Sequence, residues 1–167
     1  MEETVRLITQ YLHVVSAILW LGGGYYTIFV QSPALMEAPA AARGAVLAAI
    51  APRQLFYLMR LGEFTLLTGF LRIITSPHAR ELESLSTRWS VAILIGIVLT
   101  VALLGIAHAV LKPAVEKMLT AGPKAAEGDA AAGVAVAKAG ARLKTIGYVQ
   151  LVLGAIIILG MVSARLS

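Results

Sequence analysis

Four side chains stand out as able to do chemistry in an apolar setting: His13, Arg60, Glu63 and His108. Each lies inside a stretch of apolar residues, where an ionisable group costs at least a few kcal/mol unless it is paired or used. His13 is followed by Ala17, Trp20 and Gly24, at offsets that put all four on one helical stripe. A histidine, a small residue, a flat indole and a glycine in line suit the wall of a planar cofactor. Neutral imidazole is also a usual axial ligand of haem iron. The competing reading is a histidine hydrogen-bonded to a neighbouring helix.

Arg60 and Glu63 are three residues apart, on adjacent parts of one helix face. They lower each other's cost as an ion pair. Alternatively Arg60 meets a carboxylate such as a haem propionate, or its long stem carries the charge to the interface, while Glu63 carries protons. His108, with Lys112 four residues on and Tyr148 expected nearby, is a second cofactor or metal position or an interfacial hydrogen-bonding cluster. His78 falls in a loop and reads as solvated. By helical rise His13 lies about 12 Å below one surface and His108 about 28 Å below it. Two axial ligands of one iron sit only about 4 Å apart, so these two histidines do not share one haem. Either a single haem takes His13 with His78 from a loop folding inward, another donor or an open position, or each histidine serves its own site.

The elements that must position these groups are read from hydropathy. Of the 167 residues 59% are hydrophobic and 14% charged, with a mean hydropathy of +0.84; a soluble chain carries nearer a quarter charged residues. Four stretches, 5–30, 55–75, 89–111 and 146–162, are long enough to cross about 30 Å of hydrocarbon as helices. The expected fold is therefore all-α, a single transmembrane domain over 1–167 forming a four-helix membrane bundle. Ser32-Pro33, Pro52, Ser76-Pro77 and Lys112-Pro113 punctuate the spans. A connector over 112–145 joins the last two, turning at Gly122-Pro123 or at Glu127-Gly128-Asp129. Gly22-Gly23-Gly24, Gly62 with Gly69, Gly96 with Gly105, and Gly147 with Gly154 offer small surfaces for close helix packing in lipid.

One side of this layout carries Arg6, Arg72, Arg80, Arg88 and Arg165. The other carries Arg43, Arg53, Lys112, Lys117, Lys124, Lys138, Arg142 and Lys144. The positive-inside rule then puts both long connectors in the cytoplasm and both termini outside the cell membrane. Met1-Glu2-Glu3-Thr4 is acidic, unlike the basic start of a cleaved signal. The absence of cysteine excludes disulfides, thiolate metal sites and cysteine nucleophiles. The net charge of +5 sits in loops and on no basic face with interleaved aromatics, so it points to lipid headgroups and not to nucleic acid. There is no phosphate loop, zinc spacing or Ser-His-Asp arrangement.

The segment Tyr11-Leu12-His13-Val14-Val15-Ser16-Ala17-Ile18-Leu19-Trp20-Leu21-Gly22-Gly23 resembles the first span of small membrane proteins related to the copper-resistance protein CopD and the membrane protoporphyrinogen oxidase HemJ. Arg60 to Arg72, with Thr68-Gly69, is similar to their second span, and Leu103-Leu104-Gly105-Ile106-Ala107-His108 to the third span of HemJ. The resemblance implies a b-type haem with His13 as a ligand, and an oxidoreductase or electron-transfer role served by a redox partner or quinone. HemJ carries a lysine in its third span that Trp89 to Ala107 lacks, so its oxidase activity is not implied. Copper transport would call for further Met, His or Cys ligands, and Met59 and Met161 read as packing residues. The expectation is a haem-binding membrane protein using His13, with Trp20 and Gly24 shaping the pocket and Arg60 on a propionate. Metal or solute transport along Glu63 and His108, or a role as an assembly subunit, is the alternative. A bundle this thin is expected to form a homodimer or larger assembly.

Overall fold

A computed structural model describes residues 2–165, and among them there is no strand. Helix α1 (Glu2–Tyr26) passes through a π-turn (Thr27–Gln31) into α2 (Ser32–Glu37), and α3 (Ala40–Ile74) runs back. A loop bearing α4 (Glu81–Ser84) leads to α5 (Arg88–Ile106). A second π-turn (Ala107–Leu111) and α6 (Lys112–Ala126) follow, and α7 (Ala130–Arg165) returns. Glu2–Glu37, Arg88–Ala126 and Ala130–Ala164 are long and apolar enough to cross a membrane. The fourth long helix, α3, has 35 residues but carries Arg43, Arg53, Arg60, Glu63 and Arg72.

The helices overrun the boundaries expected from punctuation. Ser32-Pro33 and Lys112-Pro113 do not end their helices, because each is preceded by a turn widened by one residue. Proline offers no N–H, and its ring crowds the carbonyl four residues back. The chain answers with i→i−5 bonds: Ser32 N–H donates to the Thr27 carbonyl and Lys112 N–H to the Ala107 carbonyl. Each proline then falls at the start of a fresh α-helical segment, where its missing donor is not needed. Pro52 lies inside α3, which already begins at Ala40. The 112–145 connector is helical except at its turn, which falls at Glu127–Asp129. There Asp129 N–H bonds the Lys124 carbonyl and Gly128 N–H the Ala125 carbonyl, with Gly128 at φ +96°. That left-handed position is where glycine is cheapest.

The two halves share one plan: an apolar helix, a π-turn, a prolyl helix and a long return helix. The return helices carry Gly62…Leu66…Gly69 and Gly147…Leu151…Gly154 at matching intervals. These glycines seat side chains of the helices they cross. A Cβ on Gly62 would collide with Trp20 and Leu104, one on Gly147 with Ile28, and one on Gly154 would press on Leu21. Helix α1 thus lies against the glycine faces of both return helices.

The surface is far more apolar than that of a water-soluble bundle, and hydroxyls share the interior with Leu103, Leu104, Leu151 and Ile157. Thr9, Ser16, Thr65, Thr68, Ser76, Ser90 and Thr100 are buried, while Leu7, Ile18, Phe29, Phe56, Ile74 and Leu159 are more than half exposed. Thr65 and Thr68 satisfy their hydroxyls on the Leu61 and Phe64 carbonyls of their own helix, so they can be buried without cost.

Candidate functional site

Helix α3 meets the polar groups of its neighbours at three levels. At one end Gln54 Nε2 donates to Thr27 Oγ1 (2.7 Å) and Gln31 Oε1 (2.6 Å), clasping the first π-turn. In the middle lies a cluster of Arg60, Glu63 and His108. Toward the other end α3 receives His13.

The His13 ring rests on a floor of small residues. Its Nδ1 is 3.0 Å from the Thr65 carbonyl oxygen. A carbonyl can only accept, so Nδ1 carries the proton and donates it. Nε2 then carries the ring's lone pair. Thr68 Oγ1 lies 3.5 Å from Nδ1, and a Cβ on Gly69 would come within 3.1 Å of the ring carbon Cε1. The ring is therefore fixed by a hydrogen bond on one edge and by glycine against its side. One turn before His13, Gln10 Oε1 accepts from Arg72 Nε at 2.5 Å, and the Arg72 charge acts on His13.

The middle cluster joins two helices. Arg60 Nη1 donates to Glu63 Oε2 at 2.8 Å, and its guanidinium lies 5.4 Å from the centre of the Phe56 ring. The other carboxylate oxygen, Glu63 Oε1, is 3.3 Å from His108 Nε2. His108 Nδ1 sits 2.9 Å from the Leu104 carbonyl. Both nitrogens of His108 are therefore engaged, whereas His13 uses only one. An open groove of about 510 Å³ runs over this part of α3, lined by Phe56, Tyr57, Arg60, Glu63, Phe64 and Leu67 among others.

The structure regroups the residues singled out from sequence. Gly69 marks the level of His13 on α3 and Gly62 the level of Leu104. His108 instead meets Glu63, so the two histidines touch α3 at separate points, His13 at Thr65 to Gly69 and His108 at Glu63. Arg60 is grouped with Glu63 and His108, and it is Arg72 that lies near His13. Trp20 is packed on Gly62, and the tight glycine of α1 is Gly23, against Leu58; Gly24 faces open space. Tyr148 is half exposed on α7. His78 bonds Glu81 and lies 5.7 Å from the Trp89 ring. Sequence reasoning missed Thr65, Thr68, Gly69 and Arg72 as the surroundings of His13. The matching of α1 with α3 in reverse order was the signal that could have found them.

Among the described residues no group of three or more His, Asp or Glu side chains is close enough to hold a metal ion. No family model, curated protein or solved structure matches the chain. The likeness to CopD and HemJ rests on the segments quoted for it.

Proposed function

We propose that the chain is a four-span integral membrane protein that binds one b-type haem through His13. The membrane part rests on the surface, where large apolar side chains face out while several hydroxyls are buried. Such a surface is stable in lipid and costly in water. Helix α3 is the fourth span. Of its charged residues, Arg43 and Arg72 lie near its ends, and Arg60 and Glu63 form an ion pair with each other on an exposed face, which lowers the cost of crossing.

The haem part is carried by one observation: the hydrogen bond from His13 Nδ1 to the Thr65 carbonyl. Ligating histidines donate their second ring nitrogen to a carbonyl or carboxylate in this way, which fixes the tautomer and the ring plane. His13 would hold the iron by Nε2, and Arg72, one turn away, would stabilise a propionate. Bound haem would supply one-electron chemistry, with its potential set by the ligand and the apolar surroundings. Both ring nitrogens of His108 already have partners, the Leu104 carbonyl and Glu63, and His78 is tied to Glu81. His13 would then be the one protein ligand of the haem among these histidines.

An absorption spectrum of the purified protein, oxidised and dithionite-reduced, tests this. The expected result is a Soret band of a high-spin haem that shifts with carbon monoxide. It should disappear in His13→Ala and persist in His108→Ala. A colourless protein that stays colourless after haem is added overturns the reading.

A further inference from the structure

The contact between Glu63 and His108 has an electrostatic requirement of its own. His108 Nδ1 faces the Leu104 carbonyl at 2.9 Å, so it bears the ring proton and Nε2 presents a lone pair. That lone pair meets Glu63 Oε1 at 3.3 Å. Two acceptors held this close repel each other unless a positive ion lies between them. The ion is either a second imidazole proton or a metal.

The spacing also admits a metal. A divalent ion bound tetrahedrally at 2.0–2.1 Å by imidazole and 2.0–2.2 Å by a carboxylate oxygen separates those two atoms by about 3.4 Å. The groups on either side resemble the outer shell of such a site. The Leu104 carbonyl fixes the histidine tautomer, and Arg60 holds the other carboxylate oxygen at 2.8 Å, leaving Oε1 as a single directed ligand. The π-turn contributes as well. Its extra residue sets the angle at which His108 faces α3, and π-turns recur where a helix must aim a functional side chain. Neither side chain is closed off by the bundle, with 48% of His108 and 36% of Glu63 exposed.

We propose that Glu63 and His108 are two protein ligands of a zinc-class divalent cation, with water or a transported or reacting molecule completing the shell. Two protein ligands beside the Arg60 charge make an exchangeable site and not a structural one. Helix α3 brings Glu63 and Arg60 to it, and Lys112 follows on its own helix. The site is separate from His13 and does not depend on haem there.

The test is titration of the purified, chelator-treated full chain with Co²⁺, followed by its d–d absorption and displaced by Zn²⁺. One equivalent should bind with tetrahedral-type bands, and affinity should fall at least tenfold in Glu63→Gln and in His108→Gln. The loop pair His78 and Glu81 is the adventitious competitor, so His78→Ala must retain the signal. Zn²⁺ should also protect His108 from carbethoxylation in the unaltered protein, a readout that needs no variant. No binding at millimolar Co²⁺ would mean that a proton alone bridges the pair, and would overturn the proposal. So would binding unchanged in both site variants, or binding lost with His78.

Discussion

At the scale of single residues, the distances around His13 make the site sensitive to one methyl group. A Cβ on Gly69 would press on Cε1 at 3.1 Å, and the ring cannot retreat without loosening its bond to the Thr65 carbonyl. Gly69→Ala should therefore cost about 1–3 kcal/mol in overpacking. It should also weaken haem binding, read as a smaller Soret band per protein, while Gly24→Ala, facing open space, leaves both unchanged. The loop offers a pH test. Glu81 accepts from His78 (2.5 Å) and from Thr87 Oγ1 (2.7 Å). These bonds, His78 first, hold its carboxyl below the ordinary 4.5. A depressed carboxyl stabilises the fold above its unfolded value and loses that effect as pH falls through the folded one. The thermal unfolding temperature of Glu81→Gln should accordingly lie below wild type near neutral pH and converge with it as the medium is acidified below 4.5. His13, Glu63 and His108 were legible because their types are out of place in apolar runs. Their partners were not: a backbone carbonyl of another helix leaves no mark in a sequence, and Arg72 looked like an ordinary helix-end cation.

At the scale of elements, hydropathy located the long helices, but proline misled on where they stop. The rule that proline ends a helix assumes that no other hydrogen-bond register is available. Here one extra residue per turn absorbs the missing donor at Pro33 and at Pro113. Restoring the N–H should reverse this. In Pro113→Ala the regular i→i−4 ladder becomes available, and losing the extra residue rotates His108 by about 100° relative to the helix beyond it. The expected result is slower amide exchange across Ala107–Leu111 and a Co²⁺ affinity as weak as that of His108→Gln, in a protein that remains folded. Pro33→Ala should change exchange only around Thr27–Gln31. Gly62 tests the packing between elements. A Cβ there meets both Trp20 and Leu104, and an indole cannot move aside as a flexible side chain would. Gly62→Ala should destabilise the fold by about 1–3 kcal/mol, measured by detergent-mediated unfolding.

At the scale of the whole molecule, the number of crossings turns on α3. By composition alone it falls outside the helices apolar enough to span a membrane. The bundle answers its polar groups one by one: Arg60 with Glu63, Glu63 with His108, Arg72 with Gln10, and Gln54 with the first π-turn. A helix that inserts poorly alone can cross when its neighbours supply these partners, because the cost of each group is set by the company it keeps. The chain contains no cysteine, so single cysteines placed in it report their side of the membrane without background. Cysteines at Glu37 and Glu83 lie beyond opposite ends of α3. If α3 crosses, an impermeant maleimide added to intact cells labels position 83 and reaches position 37 only after the membrane is opened. Position 127, in the turn between α6 and α7, should behave as position 37 does, since basic residues are more numerous on that side. Labelling of 37 and 83 from the same side would leave α3 lying along the membrane. The exposed Arg60–Glu63 pair would then meet headgroups and water in place of hydrocarbon.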